Sequence, residues 1–467
     1  SVLSVPENRE MKIVSVNHYP LDEGLNNWYE LTDRLRKLDT RLALCGHGHT
    51  NRVMNFEGIP ALMCRSNLRA GAETGGYNII TFMGDSVLTA AVRHPGAATM
   101  PAWARVQLVR HDFAADTTAW PRPDYSMNRT FPGVREVWRI QEKSDIGAGA
   151  VATGKVAVIT NTGGEIKALD IRNGRERWKV SAGAKIYSTP ATDGKRIIAV
   201  SSDGMVRALA LKSGKLLWSF DMRQPSVASP VTDGKRVYLT GSSGKSYALD
   251  VRDGTVIWSN AMADGFVETI PLIYRGMLIF GTWNNHLYAL DTESGTLLWD
   301  WYNGYSNRML SPAACVPVAV DGRIFVVAPD RKMACLDAST GKLLWHSDLG
   351  KIAVRESMGI TADSTLILAK TMNGVTVGVN ADGREGSVMW KTGFDIGYDI
   401  APAVIEEQAG VILIPSDKGV IHAASREDGR LLWSHRISSC LINRIVPLGR
   451  NGLLVTSMDG VVVRIAY

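Results

Sequence analysis

The sequence predicts a mainly β protein: an eight-bladed β-propeller over residues 134–467, preceded by a partial α/β domain over residues 1–95. Three observations carry this. Eight tryptophans (Trp138, Trp178, Trp218, Trp258, Trp299, Trp345, Trp390 and Trp433) recur at steps of 40, 40, 40, 41, 46, 45 and 43 residues, and self-similarity at such a period marks a repeat architecture. Each period holds four short apolar or alternating runs parted by tight-turn residues, the pattern of one small antiparallel sheet. The first 95 residues have another rhythm, strand, helix, strand, with histidines directly after both strands.

Composition bounds the class. At 467 residues the chain is too long for one ordinary core, and 45% hydrophobic with 21% charged residues is a globular composition. No apolar run approaches the ~20 residues of a membrane span, so no transmembrane segment is expected. The net charge of +6 is spread through turns such as Asp233-Gly-Lys-Arg236, which describes a solvated surface and not a nucleic-acid face. Cys45, Cys64, Cys315, Cys335 and Cys440 include no Cys-x-x-Cys pair; they read as buried free thiols, not as a disulfide framework or a structural zinc site.

In chain order, Met11-Lys-Ile-Val-Ser-Val16 reads as a buried strand running into Asn17-His18-Tyr19-Pro20. Leu25, Trp28, Leu31, Leu35 and Leu38 stand at helical spacing, so a helix is expected over 25–38. Arg41–Cys45 is a second strand, followed by Gly46-His47-Gly48-His49-Thr50-Asn51; runs at 52–57, 60–64, 76–83 and 86–93 then suggest an antiparallel meander. Both histidine motifs thus fall at C-terminal strand ends, where α/β sheets bind ligands. Imidazoles suit divalent transition metals, and the glycines allow the tight turn that lets the rings converge.

These residues resemble the calcineurin-like metallophosphoesterase superfamily. Asn-His18-Tyr-Pro is similar to its late histidine motif and Gly-His47-Gly-His49 to its final Gly-His-x-His motif. The resemblance implies that His18 and His47 bind one ion of a divalent metal pair and His49 the other, the ions activating a water against a phosphoester. The family's earlier Asp-x-His, Gly-Asp-x-x-Asp and Gly-Asn-His motifs do not precede His18, and Gly84-Asp85 comes too late. Residues 1–95 therefore read as the C-terminal half of such a domain, the other half lost by truncation, proteolysis or a gene-model error, or supplied by another segment. The metal pair is expected only in the intact domain, and this chain is expected to be inactive.

Residues 96–133 carry Pro101, Pro121, Pro123 and Pro132 and little periodicity, which predicts a semi-rigid linker. Val106–Val109 could add one strand, and Trp103 and Trp120 are read as anchors. From residue 134 the repeats begin. In one of them Ser188-Thr-Pro190 opens an inner strand, Arg196–Ser201 and Met205–Leu209 follow, and Lys215-Leu-Leu-Trp218 is the outermost strand. Val134–Trp138 has an outer strand's sequence with no inner strands before it, whereas 452–457 and 461–465 lack a terminal tryptophan phrase. Joining the two ends completes an eighth blade and removes free sheet edges.

The phrase Ala-Leu-Asp-x-x-x-Gly-x-x-x-Trp, as in 168–178, 248–258 and 289–299, resembles the tryptophan-docking repeat of pyrroloquinoline-quinone (PQQ) proteins. That family includes quinone-dependent dehydrogenases and cofactor-free propellers such as the outer-membrane-assembly lipoprotein. The repeat serves packing, and this chain lacks the dehydrogenases' vicinal cysteines and large insertions, so PQQ is not expected. Counting back from each strand opening places Lys185, Tyr187, Phe266, Glu268, Asn307, Arg355, Asp399 and Arg444 at the channel mouth. They read as a solvated rim or as a polar funnel for a peptide or anion. Trp283-Asn-Asn-His286 replaces the small-residue turn of other repeats, either as a contact loop or as a hairpin with an inward aromatic.

The expected function of the intact protein is metal-dependent phosphoester hydrolysis, with the propeller binding a protein, a peptide or the phosphoester substrate. The alternative is a non-catalytic propeller scaffold, and a quinone-dependent dehydrogenase is the third reading. By resemblance to bacterial PQQ-type propellers the location is periplasmic or secreted, with the signal sequence upstream of this chain.

Overall fold

A computed structural model describes residues 11–67, 74–116, 120–382 and 386–467. They fall into two units, Ser1–Asp124 and Tyr125–Tyr467; of the expected phosphoesterase part, residues 1–10 and 68–73 lie outside the described residues.

In the first unit Ile13–Val16 (β1), Thr40–Cys45 (β2), Arg52–Phe56 (β3) and Ile59–Met63 (β4) form one sheet in the order β1-β2-β4-β3. β2 pairs in parallel with both β1 and β4. Leu42 and Ala43, successive residues on opposite faces of β2, are both fully buried, as a central parallel strand requires. The expected meander is therefore interrupted. β4, apolar on both faces (Ile59, Ala61, Leu62 and Met63 are buried), goes to the sheet interior, and polar β3 is left at the edge. The helix Trp28–Leu35 (α1) turns Trp28, Thr32 and Leu35 inward. It is shorter than the 25–38 stretch, because Leu25 and Leu38 belong to turns that flank it.

A second, three-stranded antiparallel sheet joins Tyr77–Met83 (β5), Val87–Arg93 (β6) and Thr99–Gln107 (β7). β7 lies inside the stretch read as a linker. Its Pro101 is tolerated because β7 is an edge strand, where a missing donor costs no ladder bond. Trp103 donates from Nε1 to Asn78 Oδ1 at 2.7 Å, and Trp120 packs edge-on against Trp28 and Phe56. Buried Glu57 accepts from Trp120 N and Arg122, while Arg122 also reaches Asp33. The proline-rich stretch is thus stapled to the first unit as far as Asp124.

Among its described residues the second unit holds eight four-stranded antiparallel sheets. Sheets 1 to 7 occupy 151–181, 191–221, 231–260, 272–302, 318–347, 354–391 and 406–436. Sheet 8 combines the three strands of 442–466 with Arg135–Gln141 (β8), which pairs Val463 with Arg139 and Arg464 with Trp138. In all eight, the outer strand is bulged one residue before its tryptophan, as where Ala208 pairs Trp218 but Leu209 pairs Leu216. A bulge re-aims the side chain beside it, and here it turns the indole onto the following sheet.

The docking is specific. Nε1 of Trp138, Trp178, Trp218, Trp258 and Trp299 donates at 2.8–3.0 Å to the carbonyls of Ile171, Leu211, Val251, Thr292 and Ala338, each in the next sheet. Each ring lies on the turn glycine of the following sheet, Gly174, Gly214, Gly254, Gly295 or Gly341, which closes an Asp-x-x-x-Gly phrase in all but Gly214, where Ala210 replaces the aspartate; a Cβ on Gly254 would stand 2.6 Å from the Trp218 ring. The aspartate shapes the same turn, since Asp250 Oδ1 accepts from Arg252 N and Gly254 N donates to Asp250 O. The last contact differs: Trp433 stacks on Tyr467 at 4.9 Å, which lies beside the strands of sheet 8 and returns the series to Trp138.

Candidate binding site at the channel mouth

The segments that precede or begin the innermost strands converge on a cavity of about 600 Å³. It is lined by 147–149, 187, 189, 227, 229, 266, 268–270, 314, 316, 402–404, 441, 443, 444 and 458. Most of these side chains are small or apolar, so the mouth is an apolar well with a few polar groups, unlike the polar funnel that is one of two readings of the sequence. Of the mouth residues read from the sequence, the structure brings Tyr187, Phe266, Glu268 and Arg444 to this cavity.

Glu268 is exposed and accepts from Trp283 Nε1 at 2.7 Å. Trp283 is folded back by its own N–H, which donates to Phe266 O at 3.0 Å. Its loop is held by Asn284 Nδ2 on Asp264 Oδ2 and by Asn285 Nδ2 on Tyr305 O. Asn285 takes a positive φ of 66°, a conformation asparagine tolerates better than most residues. Arg444 is 3.4 Å from Glu406; burial raises the Glu406 carboxyl and Arg444 opposes the rise. Gly149 makes room for this arginine, since a Cβ there would lie 2.5 Å from Arg444 Cβ.

The remaining mouth residues do not line the cavity. Lys185 is exposed beside Tyr187. Asn307 caps the short turn Arg308–Leu310 by accepting from Met309 N. Arg355 is bound through Nε and Nη2 to Glu356. His286 pairs with Asp300 at 2.9 Å and stacks on Tyr288 and Tyr302. Asp399 is fully buried: its Oδ1 holds Lys370 Nζ at 2.6 Å, and its two oxygens accept from Ala401 N and Asp417 N. Sequence reasoning missed Lys370 and Glu406. A lysine ending the apolar run Leu366-Ile-Leu-Ala-Lys370 was the available signal.

In the first unit the strand ends bring His18 and His47 to a centroid separation of 5.4 Å, with Tyr19 4.1 Å from His47. Gly46 N donates to His18 O, and His47 and His49 both have positive φ. All three histidines are exposed. Among the described residues no three His, Cys, Asp or Glu side chains are placed to hold a metal ion. Hard divalent ions need bridging oxygen ligands, so the described residues do not fit a metal pair.

The sequence pattern of the family described as outer membrane protein assembly factor BamB matches residues 133–269, 203–314 and 311–392, more than half of the chain. The protein of that name from Escherichia coli is 24% identical over 201 residues, 42% of this chain and 49% of its own. The lanthanide-dependent methanol dehydrogenase of Methylacidiphilum fumariolicum is 30% identical over 149 residues, 30% of this chain and 23% of its own. The chain spans about half the length of the curated assembly-factor relatives it matches. The crystal structure of BamB from Moraxella catarrhalis superposes with a TM-score of 0.59 at 18% identity, covering 72% of this chain and 100% of that one.

Proposed function

The chain belongs to the family described as outer membrane protein assembly factor BamB, and on that premise we propose that residues 125–467 form an eight-bladed propeller serving as a non-catalytic scaffold for a partner protein. The observation that carries this is the apolar cavity at the mouth, rimmed by Tyr187 and the Trp283 loop, a surface suited to a partner's side chains. The repeat's chemistry-bearing residues are spent elsewhere: indole and glycine are consumed between sheets and the aspartate within its own turn. For that reason no quinone chemistry is assigned to it. The names of the relatives support work in the cell envelope, outside the cytoplasm; among the described residues no helix is long and apolar enough to cross a membrane.

A second reading, phosphoester hydrolysis by residues 1–95 within a longer protein, keeps one observation: the parallel strands β1 and β2 place His18 and His47 side by side. No catalytic step is derived from it, because the described residues do not fit the metals it needs.

The test is photo-crosslinking. A benzoylphenylalanine in place of Tyr187, and another in place of Leu217 on an outer strand, are exposed to envelope extract. The scaffold reading expects one defined adduct from position 187 that is absent from position 217. Identical adducts from both positions would refute it; manganese-dependent turnover of p-nitrophenyl phosphate that His47→Ala abolishes would establish the second reading for the first unit.

A further inference from the structure

We infer that the channel mouth is a receptor for a basic side chain, a lysine or arginine that a partner protein inserts between Glu268, Phe266 and Tyr187. This rests on the scaffold reading and names what the scaffold grips.

Two charged side chains line the cavity, Glu268 and Arg444. Arg444 already faces the Glu406 carboxylate at 3.4 Å, so an incoming anion would have to compete with a carboxylate held beside it. Glu268 has no cation among the described ion pairs, and what it accepts is the neutral Trp283 Nε1–H. Glu406, which pairs with Arg444, does not itself line the cavity, so Glu268 is the one lining charge with no ionic partner among the described ion pairs. Lys185, the nearest cation in sequence to Tyr187, does not line the cavity. Of the readings the sequence offers, a solvated rim or a funnel for a peptide or an anion, this charge arrangement disfavours the anion.

The walls suit the rest of a basic side chain. Lysine and arginine carry apolar stems that pack on apolar surface while the head stays polar. Val227 and Ile270 supply that surface in the same cavity as Glu268. Phe266 and Tyr187 add aromatic rings, which attract a cation electrostatically. Low-dielectric walls strengthen the pull of the single carboxylate relative to open water. A cavity of about 600 Å³ lies within the ordinary range for ligand sites and takes a long side chain with the peptide groups that flank it. Trp283 completes the device, because its Nε1 holds Glu268 Oε2 at 2.7 Å and leaves the other carboxylate oxygen to the guest. The unusual Trp-Asn-Asn-His turn singled out in the sequence thus acquires a role.

The experiment is calorimetric titration of the full chain with acetyl-Ala-Ala-Arg-Ala-Ala-amide, its lysine counterpart and its citrulline counterpart. Citrulline keeps the shape of arginine without the charge. The arginine or the lysine peptide is expected to bind at least about tenfold more tightly than the citrulline one, the size of one charged hydrogen bond. Glu268→Gln should abolish that preference, and Trp283→Phe should weaken it. Glu268 is exposed, so an unchanged melting curve shows that the variant is folded. Equal affinity for all three peptides, no detectable binding by the unaltered chain, or a charge preference that survives Glu268→Gln would each overturn the inference. The crosslink from position 187 is scored separately. Its persistence without charge preference leaves the scaffold reading standing and removes this inference, whereas charge preference without any crosslink removes the partner protein from both and leaves only a cation-binding cavity.

Discussion

Gly254→Ala tests the sheet-to-sheet docking most directly. Gly254 has φ +75° and lies under the Trp218 indole, where a Cβ would approach ring atoms to 2.6 Å. Gly234 has a similar φ, +86°, but a Cβ there meets nothing within 4 Å. Both substitutions incur the left-handed backbone cost of about 1 kcal/mol. Only Gly254→Ala must also displace a buried indole, which adds about 1–3 kcal/mol of overpacking, and the Trp218 hydrogen bond to Val251 O, now 3.0 Å, contributes about 1 kcal/mol more if it breaks. The expected losses are therefore about 1 kcal/mol for Gly234→Ala and about 2–5 kcal/mol for Gly254→Ala, read as shifts of the urea transition of the full chain. In a Trp218→Leu background the two alanines should cost nearly the same, because the obstacle is gone. Equal costs in the natural background would refute the docking account.

Three further outcomes are expected. Replacing Lys370 by Met strands Asp399 in a fully buried site and should cost about 3–5 kcal/mol in equilibrium unfolding, with Lys370→Met/Asp399→Asn recovering most of it. Stability should fall with acid in two steps. Burial pushes His422 from 6.5 down to about 4, so its contribution is complete above pH 6.5 and is lost as pH falls through 4. Burial alone would raise Glu136, but His435, 3.5 Å away, and hydrogen bonds from Arg139 hold it at about 2 against an ordinary 4.5, so its contribution is present above pH 4.5 and is lost toward 2. His422→Gln should flatten the first step and Glu136→Gln the second in pH-dependent urea melts. Burial pushes Cys45 up to about 11 and Cys315 and Cys335 up to about 12, so at pH 8 a thiol reagent should label half-buried Cys64 first, and those three only on unfolding.

The docking repeat was legible because it is local and periodic. Asp250, Gly254 and Trp258 stand at fixed spacing, and any residue that breaks the pattern shows against its copies. Closure by β8 was legible for the same reason, since Val134–Trp138 is an outer strand without inner ones. The bulge before every tryptophan was not, because the extra residue (Leu217, Leu298, Met389; Arg177 in the first repeat) carries no mark that sets it apart from its strand neighbours in one dimension. The mouth was only half legible. Counting back from strand openings finds the right segments, but these are irregular backbone, where no two-residue alternation says which side chain faces the channel. Tyr187 and Glu268 face it, while Asp399, found by the same count, turns into the protein toward Lys370. In the first unit, residue order suggested a hairpin meander, yet the two apolar faces of β4 drew it between β2 and β3.

By itself, the sequence determined the repeat, its period, the pairing of chain ends and the residues that dock one sheet on the next. The repeat, its period and the docking residues are set by neighbours within one or two repeats, and the pairing of the ends follows from the incomplete copy that each end carries. Only the tertiary structure decided the character of the cavity, because that depends on segments hundreds of residues apart, from Gly147 to Met458, meeting at one mouth. It also decided which charges there are already neutralised, and so left Glu268 as the one that faces an apolar well without a counter-ion among the described ion pairs.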